Sequence, residues 1–192
     1  RFTERLVPQL SVLSLNEMID LGDCAVSTMA RATFDEMRLA GGLRNAVVAL
    51  DTAVSTTHGH PHTALEAVAT VVRGHHKVRG SVQARRALAL GSTRAASPWE
   101  SRTRLMAHLD AGLADLAVNV PIFDRDGGLL GVADLLDEAA GLVIESDGDD
   151  HRSPDRHTDD NRREERFERG GVVVIRVTAL DHQDRWATVG RL

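Results

Sequence analysis

From about Leu15 to Leu90, apolar residues recur at three- and four-residue spacings among Ala, Leu, Met, Arg and Glu, the signature of amphipathic helices. Met29, Phe34 and Met37 mark one stretch, and Val47, Val48, Leu50 and Val54 mark a second beyond the break at Gly41-Gly42. His58-Gly-His-Pro-His62 separates a third stretch, Thr63 to Val72, and Gly74 and Gly80 precede a fourth, Ser81 to Leu90. The pattern predicts a small all-helical unit over residues 1–95, with Cys24 in its core.

After Gly91 the period changes. Ser97-Pro98-Trp99-Glu100 predicts a helix start: a capping serine, proline at the first helical position, and a glutamate placed to complete a capping box. Trp99, Met106, Leu109 and Leu113 supply its apolar face, and the helix is expected to end near Gly112. Leu116 to Phe123, Leu129 to Leu136 and Leu142 to Asp147 read as three strands of an antiparallel meander, the first two joined by the tight turn Asp124-Arg-Asp-Gly-Gly128. Ser153-Pro154 opens a polar helix to Arg169, with Asp159/Arg163 and Glu165/Arg169 at supportive spacing and Phe167 its one large apolar residue. Val172 to Val177 reads as a strand inside a sheet, and Asp181 to Leu192 as a closing helix. The order α-β-β-β-α-β-α predicts an α/β domain over residues 96–192.

The 192 residues, 42% hydrophobic with one cysteine, suffice for one large domain or two small ones and exclude a disordered or disulfide-stapled chain. No apolar run nears the roughly 20 residues of a membrane helix, and no secretory leader is seen, so a soluble, cytoplasmic protein without membrane partners is expected. The chain starts at Arg1 rather than Met, which suggests a longer natural N-terminus. The net charge of −5 conceals an asymmetry. Residues 67–99 hold Arg73, Lys77, Arg79, Arg85, Arg86 and Arg94 with no acid, whereas residues 97–192 carry 20 acids against 12 arginines. Lys77 is the sole lysine.

The segment Gly131 to His151, GVADLLDEAAGLVIESDGDDH, sets acids inside apolar strand patterns. Side chains alternate along a strand, so Glu145 and Asp147 share a face while Ser146 takes the other. Pairing across Asp137–Ala140 would set Asp134 beside Glu145. Three crowded carboxylates resist joint ionisation unless a cation neutralises them, and hard oxygen ligands suit Mg²⁺ or Mn²⁺. The competing reading is strand-end acids in water.

Glu100 in the SPWE opening, Asp134, the Glu145-Ser-Asp-Gly148 run, His151, Asp160-Asn-Arg-Arg163, Gly170 and Arg176-Val-Thr178, in this element order, resemble the PD-(D/E)xK endonuclease-like superfamily, in its very-short-patch-repair-like and domain-of-unknown-function-559 branch. The helical half, with VSTMARATFDEM and ALDTAV, is similar to the region joining such domains to an antitoxin-like helix-turn-helix in actinobacterial proteins. The resemblance implies a restriction-endonuclease-like mixed sheet flanked by helices and a metal-dependent DNA endonuclease serving phage defence or repair. Asp134, Glu145 and the Ser146 carbonyl would hold metal. Many members carry lysine where Asp147 stands, so Asp147 would hold a second metal or act as base. His151 would be general acid, base or phosphate contact, and Glu100 would reach the site. An inactive nuclease-fold DNA-binding or antitoxin-like regulator is the alternative.

Each candidate has a plainer reading. Capping explains Glu100, and an exposed loop explains His151. His58, His60 and His62 alternate as zinc ligands do, but Pro61 and the lack of a fourth ligand favour a polar linker. No nucleophile elbow, phosphate loop or dinucleotide fingerprint is present. Arg73, Lys77, Arg79, Arg85 and Arg86, beside His75 and His76, have no interleaved aromatic, so contact with a duplex backbone is expected rather than base stacking, against a solvated helix face. Arg162, Arg163 and Arg166 form a second phosphate-contact set.

Overall fold

The structure, a computed structural model, describes residues 12–147 and 165–192. A 3₁₀ turn at Leu15–Glu17 leads into a short antiparallel hairpin, β1 (Met18–Asp20) and β2 (Ala25–Ser27). This corrects the helical expectation for residues 15–28. Asp20 Oδ1 accepts the Gly22 N–H at 2.8 Å and Gly22 takes φ +88°, so an Asp-x-Gly turn overrides the apolar spacing. Cys24 is therefore exposed on the hairpin rather than buried in a helix.

Helices α1 (Met29–Leu39), α2 (Leu43–Val54), α3 (Leu65–Gly74) and α4 (Ser81–Leu90) follow, with bounds close to the periodic stretches. Their apolar faces bury Phe34, Met37, Val47, Leu50, Val54, Val68 and Val72 in one core. Gly80, at φ +81°, admits α4 against α1, since an added Cβ would collide with the Arg38 carbonyl oxygen. Charge is buried here too. Arg31, 1% exposed, donates to Glu17 Oε2 at 2.5 Å and to Asp35 Oδ2 at 2.9 Å, and His75 Nε2 lies 2.6 Å from Glu17 Oε1. His75 thus belongs to an interior latch between the hairpin, α1 and the end of α3, not to the basic surface.

Helix α5 (Pro98–Leu109) begins where expected, with Ser97 Oγ accepting the Glu100 N–H at 3.1 Å. Leu105 enters the helical core while Met106 and Ala107 pack beneath the sheet, so α5 belongs to both cores. Its buried face is wider than the predicted stripe, and Leu109 is exposed. Asp51 of α2 stitches the halves together, accepting from Ser92 N–H at 2.7 Å and from Ser101 Oγ and Arg104 Nη2, both at 2.8 Å. Burial pushes its carboxyl above the ordinary value despite the opposing Arg104 charge and these hydrogen bonds.

Strands β3 (Leu116–Phe123), β4 (Leu129–Asp137), β5 (Leu142–Asp147) and β6 (Val173–Thr178) form a mixed sheet in that order, antiparallel through β5 and parallel between β5 and β6. The meander is as expected. The last strand is not interior but an edge, with Val173 60% exposed. Its apolar run instead reflects cover on both faces: Val177 joins Ile144, Leu135 and Met106, and Val174 packs on Phe167, Val143 and Ala133. Phe167, within the described helical residues 165–169 (α6), is fully buried. The chain closes with two helices, α7 (Ala179–Gln183) and α8 (Arg185–Val189), where one was expected. Asp184 ends the first and caps the second by accepting the Ala187 N–H. Among the described residues no helix is long and apolar enough to cross a membrane.

Candidate functional site

The β4–β5 ladder runs from Asp137↔Leu142 to Leu135↔Ile144, and the next step of that register sets Asp134 against Glu145. The ladder stops there, and the Asp134 carboxylate takes its place: Oδ2 accepts the Ser146 N–H at 2.7 Å. On the other side of β5, Glu145 is in register with Arg176 and Asp147 with Thr178. Leu142 and Ile144 enter the core beneath α5 and Val143 the core beneath Phe167, so alternation turns Glu145 and Asp147 toward the Phe167 face. Glu145 is 6% exposed and Asp147 is half-buried. Asp134, Glu145, Ser146 and Asp147 are thus gathered at the C-terminal end of β5, with the Arg176 guanidinium on the neighbouring strand.

The donor set is all oxygen, which matches a hard divalent cation. The side chains are gathered but not closed around a common point: among the described residues no three His, Cys, Asp or Glu groups stand in metal-ligand geometry.

Opposite Asp134 on β3 is a residue that pattern reading passed over. Val118↔Leu135 and Val120↔Ala133 flank Asn119, which takes φ +48° within the strand. Asparagine tolerates this left-handed conformation better than most residues, and that is the signal in the sequence. Asn119 Nδ2 donates to Glu100 Oε2 at 2.6 Å and to the Arg94 carbonyl at 2.7 Å, while Arg94 donates from Nε to the Val118 carbonyl at 2.7 Å and from Nη2 to the Asn119 carbonyl at 2.6 Å. Arg94, counted with the basic run in the sequence, therefore clamps a strand kink. Glu100 also accepts the Ala96 N–H at 2.7 Å. It sits on α5, and through Asn119, which lies opposite Asp134, it braces the kink of β3.

The other candidates scatter. Arg73 is ion-paired with Glu66 of its own helix. Lys77, Arg79, Arg85 and Arg86 are exposed and have no ion-pair partner among the described residues. Helix α4 buries Ser81, Ala84 and Ala87, which turns Arg85 and Arg86 outward. His58, His60 and His62 line a 260 Å³ pocket with Ser55 and Pro98. His151, Arg162 and Arg163 lie outside the described residues, and Arg166 is exposed on α6.

Fold and site together define a mixed α/β chain: a helical unit joined through α5 to a four-stranded sheet whose inner strands β4 and β5 carry Asp134, Glu145 and Asp147. Comparison with protein-family models, with curated proteins and with solved structures finds no match in any of the three.

Proposed function

We propose that the chain is a divalent-metal-dependent DNA endonuclease of restriction-endonuclease-like fold, related to the very-short-patch-repair-like branch. One observation carries the reading: Asp134, Glu145, Ser146 and Asp147 meet at the fork of β4 and β5, with Asp134 drawn onto the main chain of the strand that bears the other two acids. The α-β-β-β-α-β succession and the parallel last strand support it.

Asp134, Glu145 and the Ser146 carbonyl would hold Mg²⁺ or Mn²⁺, which when bound polarises a phosphate and lowers the pKa of an attacking water. The Ser146 N–H fixes the Asp134 carboxylate, burial restrains Glu145, and Arg176 offsets the negative charge of the cluster. Asp147, two residues on and half-buried, would accept a proton from water. The exposed Lys77, Arg79, Arg85 and Arg86 supply duplex backbone contacts.

A second reading is an inactive nuclease-fold DNA-binding or antitoxin-like regulator, in keeping with the lack, among the described residues, of three acid, His or Cys groups arranged to hold a metal. Supercoiled plasmid incubated with Mg²⁺ or Mn²⁺, with and without chelator, separates the two. Nicking or linearisation that chelator stops, and that Asp134→Asn and Glu145→Gln both lose, is the expected result. Duplex binding without cleavage at any metal concentration assigns the chain to the second reading.

A further inference from the structure

We infer that the open cleft bordered by α2, α5, α7 and α8 binds a nucleotide, a ligand that joins a planar aromatic ring to a phosphate. It shares no residue with the strand-end carboxylates and does not depend on the endonuclease reading. Its volume of about 390 Å³ lies within the roughly 300–1,000 Å³ common for small-ligand sites.

Two kinds of wall meet in it. Three guanidinium groups, those of Arg44, Arg102 and Arg185, line it, and two of them, Arg44 and Arg185, pair with one carboxylate, Asp110. Arg44 Nη2 spans both Asp110 oxygens at 2.8 and 2.7 Å, and Arg185 Nε stands 3.4 Å from Oδ2 without a hydrogen bond. Of the other nearby acids, Asp181 is engaged by Arg191, Thr178 and Thr188, and Asp184 caps α8 through the Ala187 N–H. Positive charge is therefore in excess, with guanidinium donors suited to phosphate. The second wall is Trp99 with Met106. The Arg102 guanidinium lies over the indole at 5.4 Å, and the His182 ring stands 5.1 Å from it at a 42° tilt.

A planar group already rests on the Trp99 face. Arg102 is otherwise tied by a single 3.3 Å bond to the Pro98 carbonyl, so a base can take its place on the indole while the guanidinium turns to the phosphate. An inorganic anion would leave the half-buried Trp99 face without a stacking partner, and an apolar ligand would strip water from three guanidinium groups without replacing it. Burial, then the charges of Arg102 and Arg44, hold the His182 imidazole below its ordinary value against Asp181. A bound phosphate would reverse that field and so give a spectroscopic signature.

Calorimetry on the 192-residue chain with deoxyadenosine monophosphate, deoxyadenosine, inorganic phosphate and a 5′-phosphorylated trinucleotide tests the site. The monophosphate is expected to bind at least about tenfold tighter than the nucleoside or phosphate alone, and Trp99→Leu, Arg102→Ala and Arg185→Ala each to weaken it about tenfold or more. The His182 proton resonance should titrate at higher pH with the monophosphate bound. A trinucleotide that binds more tightly than the monophosphate assigns the ligand to a nucleic-acid end, and a weaker one to a free nucleotide. Equal binding of phosphate and monophosphate, or unaltered affinity in Arg102→Ala and Arg185→Ala with unchanged far-ultraviolet circular dichroism, overturns the inference. Should Trp99→Leu lose its helical spectrum, the two arginine variants decide.

Discussion

Asp134 shows how one carboxylate serves two demands. Its Oδ2 satisfies the Ser146 N–H that the interrupted ladder would otherwise leave bare, and its charge stands against Glu145. Asp134→Asn keeps an acceptor for that N–H and removes the charge, whereas Asp134→Ala removes both. The alanine variant is expected to lose about 1–3 kcal/mol by thermal melting, for the stranded main-chain donor. The asparagine variant should melt at or above the wild type without metal, and the Mg²⁺-induced rise of the wild type should vanish in it. A wild type that shows no metal-dependent rise, with an asparagine variant that melts lower, assigns Asp134 to structure alone. The site acids were legible because charge interrupts apolar strands at Asp134, Glu145 and Asp147. Asn119 and Arg94 were not, because their roles arise from a backbone kink and from carbonyls 24 and 25 residues away, which no local pattern encodes.

At the scale of elements, legibility followed the number of mutually consistent local signals. Helix α4 and strands β3 and β5 match their expected bounds, since glycines flank α4 and tight turns or loops bound the strands. The β1–β2 hairpin was missed because three-residue strands give too short a window to display a period of two. Stability of that hairpin rests on the buried Glu17, Arg31 and His75 latch. Burial pushes the Glu17 carboxyl up, but hydrogen bonds from His75, Arg31 and the Ser14 N–H outweigh it and hold it below its ordinary value of 4.5. A carboxyl depressed in the folded state contributes stability that is complete above that value and lost as pH falls through the folded one. Glu17→Gln should therefore cost about 1–3 kcal/mol of stability at pH above the ordinary 4.5, read as a lower melting temperature, with the gap to wild type closing as pH falls below that value. A gap independent of pH across that value would remove Glu17 ionisation from the latch.

Across the whole molecule, charge divides as the two cores do, and α5 joins them. The acid-free stretch 67–99 ends one residue before Glu100, and the carboxylates gather beyond it. On the endonuclease reading each half has its own part, with exposed cations in the helical unit holding the duplex and acids at the ends of the inner strands β4 and β5 cutting it. The Asp51, Ser101 and Arg104 bonds across the junction keep the two in one frame. Each phosphate contact releases condensed counterions, so the logarithm of affinity falls with the logarithm of salt by roughly 0.9 per contact on duplex DNA. Arg85 and Arg86 face outward from α4 without carboxylate partners among the described residues, so neutralising both leaves packing untouched. Arg85→Gln combined with Arg86→Gln should weaken binding to duplexes of any sequence and flatten the salt slope by about 1–2 units, while the melting temperature stays within the error of measurement. An unchanged slope would return both arginines to the role of a solvated helix face and leave the duplex to be held by the arginines of the sheet half.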